Sequence, residues 1–181
     1  LHSCFEDIVA WHSEAEFCVI TGDLTELAEP AAYEFLKSTL KDFPLPCYLM
    51  LGNHDDRSVF QSVFDDYFQD ENGYVQYSLK TENGVFLFLD TTKEGADAHE
   101  GQLCSRRRKW LQDELTNAGD DPTYIFMHHP PFNIGVHYVD KIKLVEVEDF
   151  AETLKHGQNI KHIFFGHVHR MTSVLSLIHI S

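Results

Sequence analysis

At 181 residues the chain is long enough for one domain with a sizeable core and too short for two ordinary ones. Hydrophobic residues at 43% and charged residues at 24% exclude a disordered or collagen-like polypeptide. A formal charge of -15 sets the surface against nucleic-acid phosphates and anionic lipid, so a small anionic substrate could be held only where a local cation reverses the field.

The chain opens on apolar residues at helical spacing, Leu1, Phe5, Ile8 and Val9, which predicts a helix running to about Ser13. There is no initial Met and no cap, so the expectation is a domain whose preceding segment is missing. Strands are expected at Phe17–Thr21, Cys47–Leu51, Val75–Leu79, Val85–Leu89, Thr123–Met127 and His162–Phe165. Between them, helices are expected over Ala31–Lys41, Ser58–Phe68, Cys104–Asn117 and Val147–His156. Glu29-Pro30 marks a helix start, because Pro is tolerated in the first turn. Asn83-Gly84 between two alternating runs predicts a hairpin, while the remaining strand–helix alternation implies parallel pairing in a single α/β domain, residues 1–181. Arg106-Arg107-Arg108-Lys109 is the only basic run. Consecutive helical residues point about 100° apart, so these four are expected on a solvated surface, with Leu103, Trp110, Leu111 and Leu115 forming the buried stripe.

None of Cys4, Cys18, Cys47 and Cys104 forms a C-x-x-C pair, and Cys18 and Cys47 lie in apolar strand-like runs. They read as buried reduced thiols, consistent with a cytoplasmic protein. No apolar run has the length of a membrane span, and no signal peptide is visible. Residues 175–181 read either as a short strand or as a tail foreign to the domain, and carry no functional argument.

Four polar clusters each follow directly on a strand: Gly22-Asp23, Gly52-Asn53-His54-Asp55, His128-His129-Pro130-Pro131 and Gly166-His167-Val168-His169. In open α/β sheets ligands bind beyond the carboxyl ends of strands, so the four loops are expected to converge. Gly-Asp alone is ordinary turn chemistry, and His-His-Pro alone can be a rigid bend. Gly-Asn-His-Asp and Gly-His-Val-His are harder to explain structurally, since each crowds chemically active side chains into three or four positions. Mixed oxygen and nitrogen donors without Cys suit Mn, Fe, Co, Ni or Zn and hydrolytic chemistry.

In this order the four motifs resemble the calcineurin-like metallophosphoesterase superfamily, over Phe17 to about Arg170. The resemblance implies a four-layer αββα sandwich over a site for two divalent ions (Mn, Fe, Co or Zn). Carried over by position, Asp23 would bridge both ions, Asn53, His128 and His167 would complete one shell, and His169 would serve the other ion. His54 would face the substrate and protonate the leaving oxygen, with Asp55 holding its tautomer. His129 would stand behind the ligands. A hydroxide bridging the ions would then attack phosphorus in line.

The family opens with Asp-x-His at the end of its first strand, and nothing of that kind precedes Asp23. A sandwich lacking that strand, with its second metal site incomplete, is therefore expected. Phe126 to Phe132, Gly135, Asp140-Lys141-Ile142 and Gly166 to Arg170 are most similar to the class III cyclic-nucleotide and glycerophosphodiester phosphodiesterases. The implied substrate is a small phosphodiester such as 3',5'-cAMP or a glycerophosphodiester, with no nucleic-acid polymer or membrane as partner. A phosphomonoesterase or protein phosphatase, and a non-catalytic scaffold of the same fold, remain open alternatives, and oligomeric state is not legible.

Overall fold

Why a strand such as Gly84–Phe88 is apolar and buried on both faces becomes clear from the layers it separates. The computed structural model describes residues 2–95, 99–169 and 172–173. In chain order the elements are α1 (His2–Trp11), β1 (Cys18–Ile20), α2 (Pro30–Lys41), β2 (Cys47–Leu49), α3 (Arg57–Val63), β3 (Tyr77–Thr81), β4 (Gly84–Phe88), α4 (Ser105–Ala118), β5 (Thr123–Met127), α5 (Val147–Leu154) and β6 (Ile160–Phe165). β1 and β2 pair in parallel, and a second sheet has the order β3-β4-β5-β6. Only β3 and β4 are antiparallel there, joined at the expected Asn83-Gly84 turn, where Gly84 has φ +137°. β5 is parallel to both β4 and β6.

Alternation along β4 sorts its side chains between two cores. Val85, Leu87 and Leu89 pack with Leu111, Leu115, Phe150 and Leu154 of α4 and α5. Phe86 and Phe88 point the other way, into a cluster with Met50, Tyr77 and Phe126, against which Val19 and Tyr48 of the first sheet pack. A third core joins the first sheet to α2 and α3 through Tyr33, Leu36, Leu49, Phe60 and Val63. The layers are thus helices, β1–β2, β3–β6 and helices. Between the sheets the packing is aromatic: Tyr48 of the first sheet meets Phe88 of the second at 5.4 Å, and Phe88 in turn stacks on its sheet neighbours Tyr77 at 4.6 Å and Phe126 at 5.2 Å. Burying such rings stabilises by about 1.5–3 kcal/mol each, with further gain from ring geometry.

Several boundaries differ from expectation for local reasons. β3 starts at Tyr77, not Val75, because the Val75 amide donates to Asp90 and the Gln76 amide to the Tyr74 carbonyl, leaving neither for the ladder. α3 stops at Val63 instead of Phe68. The chain turns there so that the Tyr67 hydroxyl can accept from the Leu49 amide of β2, at 2.5 Å. Pro30 opens α2 without a side-chain cap, as the Glu-Pro pair implies. Residues 175–181 lie outside the described residues. Among the described residues no helix is long and apolar enough to cross a membrane.

The basic run on α4 corrects an expectation. Trp110 is only partly buried, while Leu103, Leu111 and Leu115 are fully buried as read. Arg107, however, is 2% exposed rather than solvated. Its guanidinium donates to the carbonyls of Asp90 (2.8 Å) and Thr92 (2.9 Å), and lies over the Tyr74 ring. Arg57 approaches the same carboxylate from the other side, through Nε at 2.7 Å and Nη2 at 3.1 Å. Burial alone would push the Asp90 carboxyl up, but hydrogen bonds and charge from Arg57, with the charge of Arg107, bring it below the ordinary carboxylate value.

Cys18 and Cys47 are Cα partners across β1 and β2, half-buried and unpaired. The hydrogen bond from Cys47 brings the Cys18 thiol down to about 7 against the opposing effect of burial.

Candidate metal centre

β1, β2, β5 and β6 deliver their following loops to one end of the two sheets, and the loops interlock through backbone. The Met50 amide donates to the Ile20 carbonyl, and the Gly166 amide to the His128 carbonyl. Such close approach requires glycine. A Cβ on Gly22 would lie 2.5 Å from His128 Nδ1 and 2.7 Å from the Gly52 amide, and one on Gly166 would lie 2.8 Å from the Thr21 carbonyl. Three non-glycine residues here, Asp23, His167 and His169, have φ of +54°, +67° and +53°. Left-handed backbone costs these residues about 1–3 kcal/mol each, and such strain is concentrated at functional sites.

His128 is the hub. Its Nδ1 lies 2.7 Å from the Thr21 carbonyl, which can only accept, so Nδ1 carries the proton and Nε2 presents a lone pair. Burial holds the ring below its usual pKa, against the Asp23 charge, so the neutral form persists. Yet Nε2 faces Asn53 Oδ1 at 3.1 Å, His167 Nδ1 at 3.2 Å and Asp23 Oδ1 at 3.4 Å. Two of those neighbours are oxygen acceptors, and like lone pairs do not attract. A cation between them resolves the conflict: bonds of about 2.0–2.2 Å to Zn-like ions set tetrahedral donors roughly 3.4 Å apart. The residues therefore fit a divalent metal ion.

The remaining predicted residues fall around this hub. His167 is brought down to about 4, by burial first and then by His128, and its buried Nε2 has no partner. His128, His129 and His167 form a three-residue group whose ligand atoms lie within 4.8 Å of one another. His129 is fully buried behind the others; its Nδ1 meets Thr91 Oγ1 at 2.8 Å and its Nε2 is also unpartnered. His169 is exposed at the rim, near enough for its charge to act on both His128 and His167. Asp23 is aimed by the His54 amide, which donates to its Oδ1 at 3.1 Å.

Asp55 does not hold the His54 ring. Its carboxylate accepts from the amides of Gly52 and Leu24 and from the Tyr33 hydroxyl, so it clamps the loop after β2 to the loop after β1. His54 Nδ1 instead meets the Glu26 carbonyl at 3.0 Å, and a carbonyl can only accept, so Nδ1 carries a proton. A cleft of about 640 Å³ opens beside Asn53, walled by Arg57, Gln61, Thr92 and Lys93.

The loop after β4 also reaches the site, and the sequence reading passed over it. Thr91 supports His129, a Cβ on Gly101 would strike the His129 ring, and His99 Nδ1 lies 3.2 Å from Asn53 Nδ2. The rule that sites form beyond strand ends applies to β4 as to the others. Asp90-Thr91-Thr92 was its polar continuation, lacking only a His in sequence to draw attention.

The fold and the converging oxygen and nitrogen donors are those of a sandwich domain with a site fit for a divalent ion, and comparison with known proteins gives its family. A family model for calcineurin-like phosphoesterases matches residues 1–171, and the chain belongs to that family. It is 37% identical to a probable cyclic nucleotide phosphodiesterase of Rhodopseudomonas palustris, over 90% of this chain and 60% of the relative. It is 28% identical to a probable glycerophosphodiester phosphodiesterase of Arcobacter nitrofigilis, over 97% and 64%. The chain thus spans less than two thirds of either relative. A dimetal phosphatase from Danio rerio shares the fold with a TM-score of 0.72 at 16% identity, over 91% of this chain and 70% of that one. The αββα architecture and a metal-dependent phosphoesterase family are thereby established.

Proposed function

We propose that this protein hydrolyses a small phosphodiester, of the cyclic-nucleotide or glycerophosphodiester kind. The observation that carries the reading is the convergence of Asp23, Asn53 and His167 on the lone pair of His128, with His54 standing beside them. Relatives named as cyclic nucleotide and glycerophosphodiester phosphodiesterases support the diester over the monoester.

Asp23, Asn53, His128 and His167 would hold one divalent ion, and Asp23 with His169 would contribute to a second. Divalent ions bound there supply Lewis acidity to the phosphoryl oxygens and make water nucleophilic near neutral pH. The chain's own residues do the rest. Asp23 is fixed by the His54 amide and Asn53 by its contact with His99, so these donors need little reorganisation when substrate arrives. His54, with Nδ1 engaged by the Glu26 carbonyl, directs Nε2 outward, where in its protonated form it gives a proton to the departing alkoxide. The cleft beside Asn53 receives the alcohol portion of the diester.

Activity against bis(p-nitrophenyl) phosphate and p-nitrophenyl phosphate, followed by 3',5'-cAMP and a glycerophosphodiester, tests the reading. A diester preference with Mn²⁺ is expected. Faster hydrolysis of the monoester would assign the protein to the phosphomonoesterases instead.

A further inference from the structure

Asn53 can serve a metal only through its oxygen. An amide is nearly symmetric in shape, so something must choose which end faces the hub. Rotated by half a turn, Asn53 would point Nδ2 at the His128 Nε2 lone pair and donate a hydrogen bond into it. That arrangement is locally favourable and caps the ligand atom that the ion requires. The site therefore has a competing closed state one side-chain rotation away.

We propose that His99 is the positioning residue that selects the open orientation, its Nδ1 accepting from Asn53 Nδ2 so that Oδ1 is held toward His128 Nε2. The two ends of the amide face different neighbours: Nδ2 donates to His99 Nδ1 at 3.2 Å, while Oδ1 faces the His128 Nε2 lone pair at 3.1 Å, across the place an ion would fill. No other side-chain hydrogen bond to the amide is recorded among the described residues. His99 is placed for this by its own segment. The Gly101 amide donates to the Lys143 carbonyl, the Val145 amide to the Gly101 carbonyl and the Gln102 amide to the Thr91 carbonyl, which pins the chain two residues away. The His99 ring also lies 6.1 Å from that of His54, so it stands beside the converging loops, not out on a remote surface. Outer hydrogen bonds of this kind commonly alter metal affinity ten- to a hundredfold.

The proposal rests on the metal-binding reading, and the experiment separates the two. Mn²⁺ affinity of the protein is measured by competition with a chelating dye, for the wild type and for His99→Leu, His99→Gln, Asn53→Asp and His99→Leu/Asn53→Asp. His99→Leu should weaken binding at the tighter site about tenfold or more, with the thermal midpoint of the metal-free protein unchanged because the ring is exposed. His99→Gln keeps an acceptor oxygen and should stay within about threefold of wild type. In the Asn53→Asp background both oxygens are equivalent, and removing His99 should change affinity less than about threefold. Equal losses from His99→Leu in the two backgrounds, a loss in His99→Gln as large as in His99→Leu, or a collapsed midpoint would each overturn the positioning role. A wild type that binds no Mn²⁺ would instead overturn the metal reading itself.

Discussion

Arg107→Met removes the cation beneath Asp90 while keeping most of the apolar stem. Lost are hydrogen bonds to the carbonyls of Asp90 and Thr92, a longer one to the Asp90 carboxylate at 3.4 Å, and the charge over the Tyr74 ring. Asp90 is wholly buried and Thr92 7% exposed, so water does not replace the lost donors. Each orphaned buried acceptor costs about 1–3 kcal/mol, and breaking buried ion pairs costs about 3–5 kcal/mol. Relief from burying a guanidinium and the pairing retained with Arg57 offset part of this, leaving about 3 kcal/mol. With a urea slope of about 2 kcal/mol/M, the unfolding midpoint should fall by about 1.5 M. The pH dependence follows from the lowered Asp90 carboxyl. Stabilisation by a depressed carboxylate is complete above its unfolded value of about 3.9 and is lost as pH falls through the folded one. The gap between wild type and variant should therefore be full at pH 6 and shrink below about pH 4. Arg106→Met, one residue away on the exposed surface, is the control and should change stability by less than about 0.5 kcal/mol. Equal urea midpoints for the two variants would refute the buried network.

Three further outcomes concern the metal centre. His54→Ala should lower turnover about a hundredfold with metal content unchanged, measured by elemental analysis beside a diester assay; loss of metal in step with activity would make His54 a ligand. Asp23→Asn should lower occupancy of every ion the protein holds, and an unchanged metal content would end its bridging assignment. Gly52→Ala would drive a Cβ onto the Asp23 carboxylate and amide, costing about 1–3 kcal/mol and abolishing metal binding; a variant that binds Mn²⁺ normally would show that the loops have room to part.

The sequence by itself determined the alternation of strands and helices, the hairpin and the four strand-end motifs. Those features are local: Glu29-Pro30 and Asn83-Gly84 act on their own backbone, and alternation along Val85–Leu89 sorts side chains to opposite faces whatever lies beyond them. Motif order then brought Asp23, Asn53, His128 and His167 into view because each directly follows a strand. Tertiary structure alone decided what the long-range partners would be. Arg107 reads as solvent-facing because its three basic neighbours share no single helix face; only the packing of α4 over Asp90, seventeen residues earlier, makes burial of that one guanidinium favourable. Asp55 looks bound to serve its neighbour His54, yet the amides of Gly52 and Leu24 and the Tyr33 hydroxyl reach its oxygens first. His99 sits in no motif and becomes relevant only where the loop after β4 folds back over Asn53, forty-six residues distant in sequence. A hydrogen bond across such a separation depends on where two loops end in space, and no periodicity or spacing in either loop encodes it.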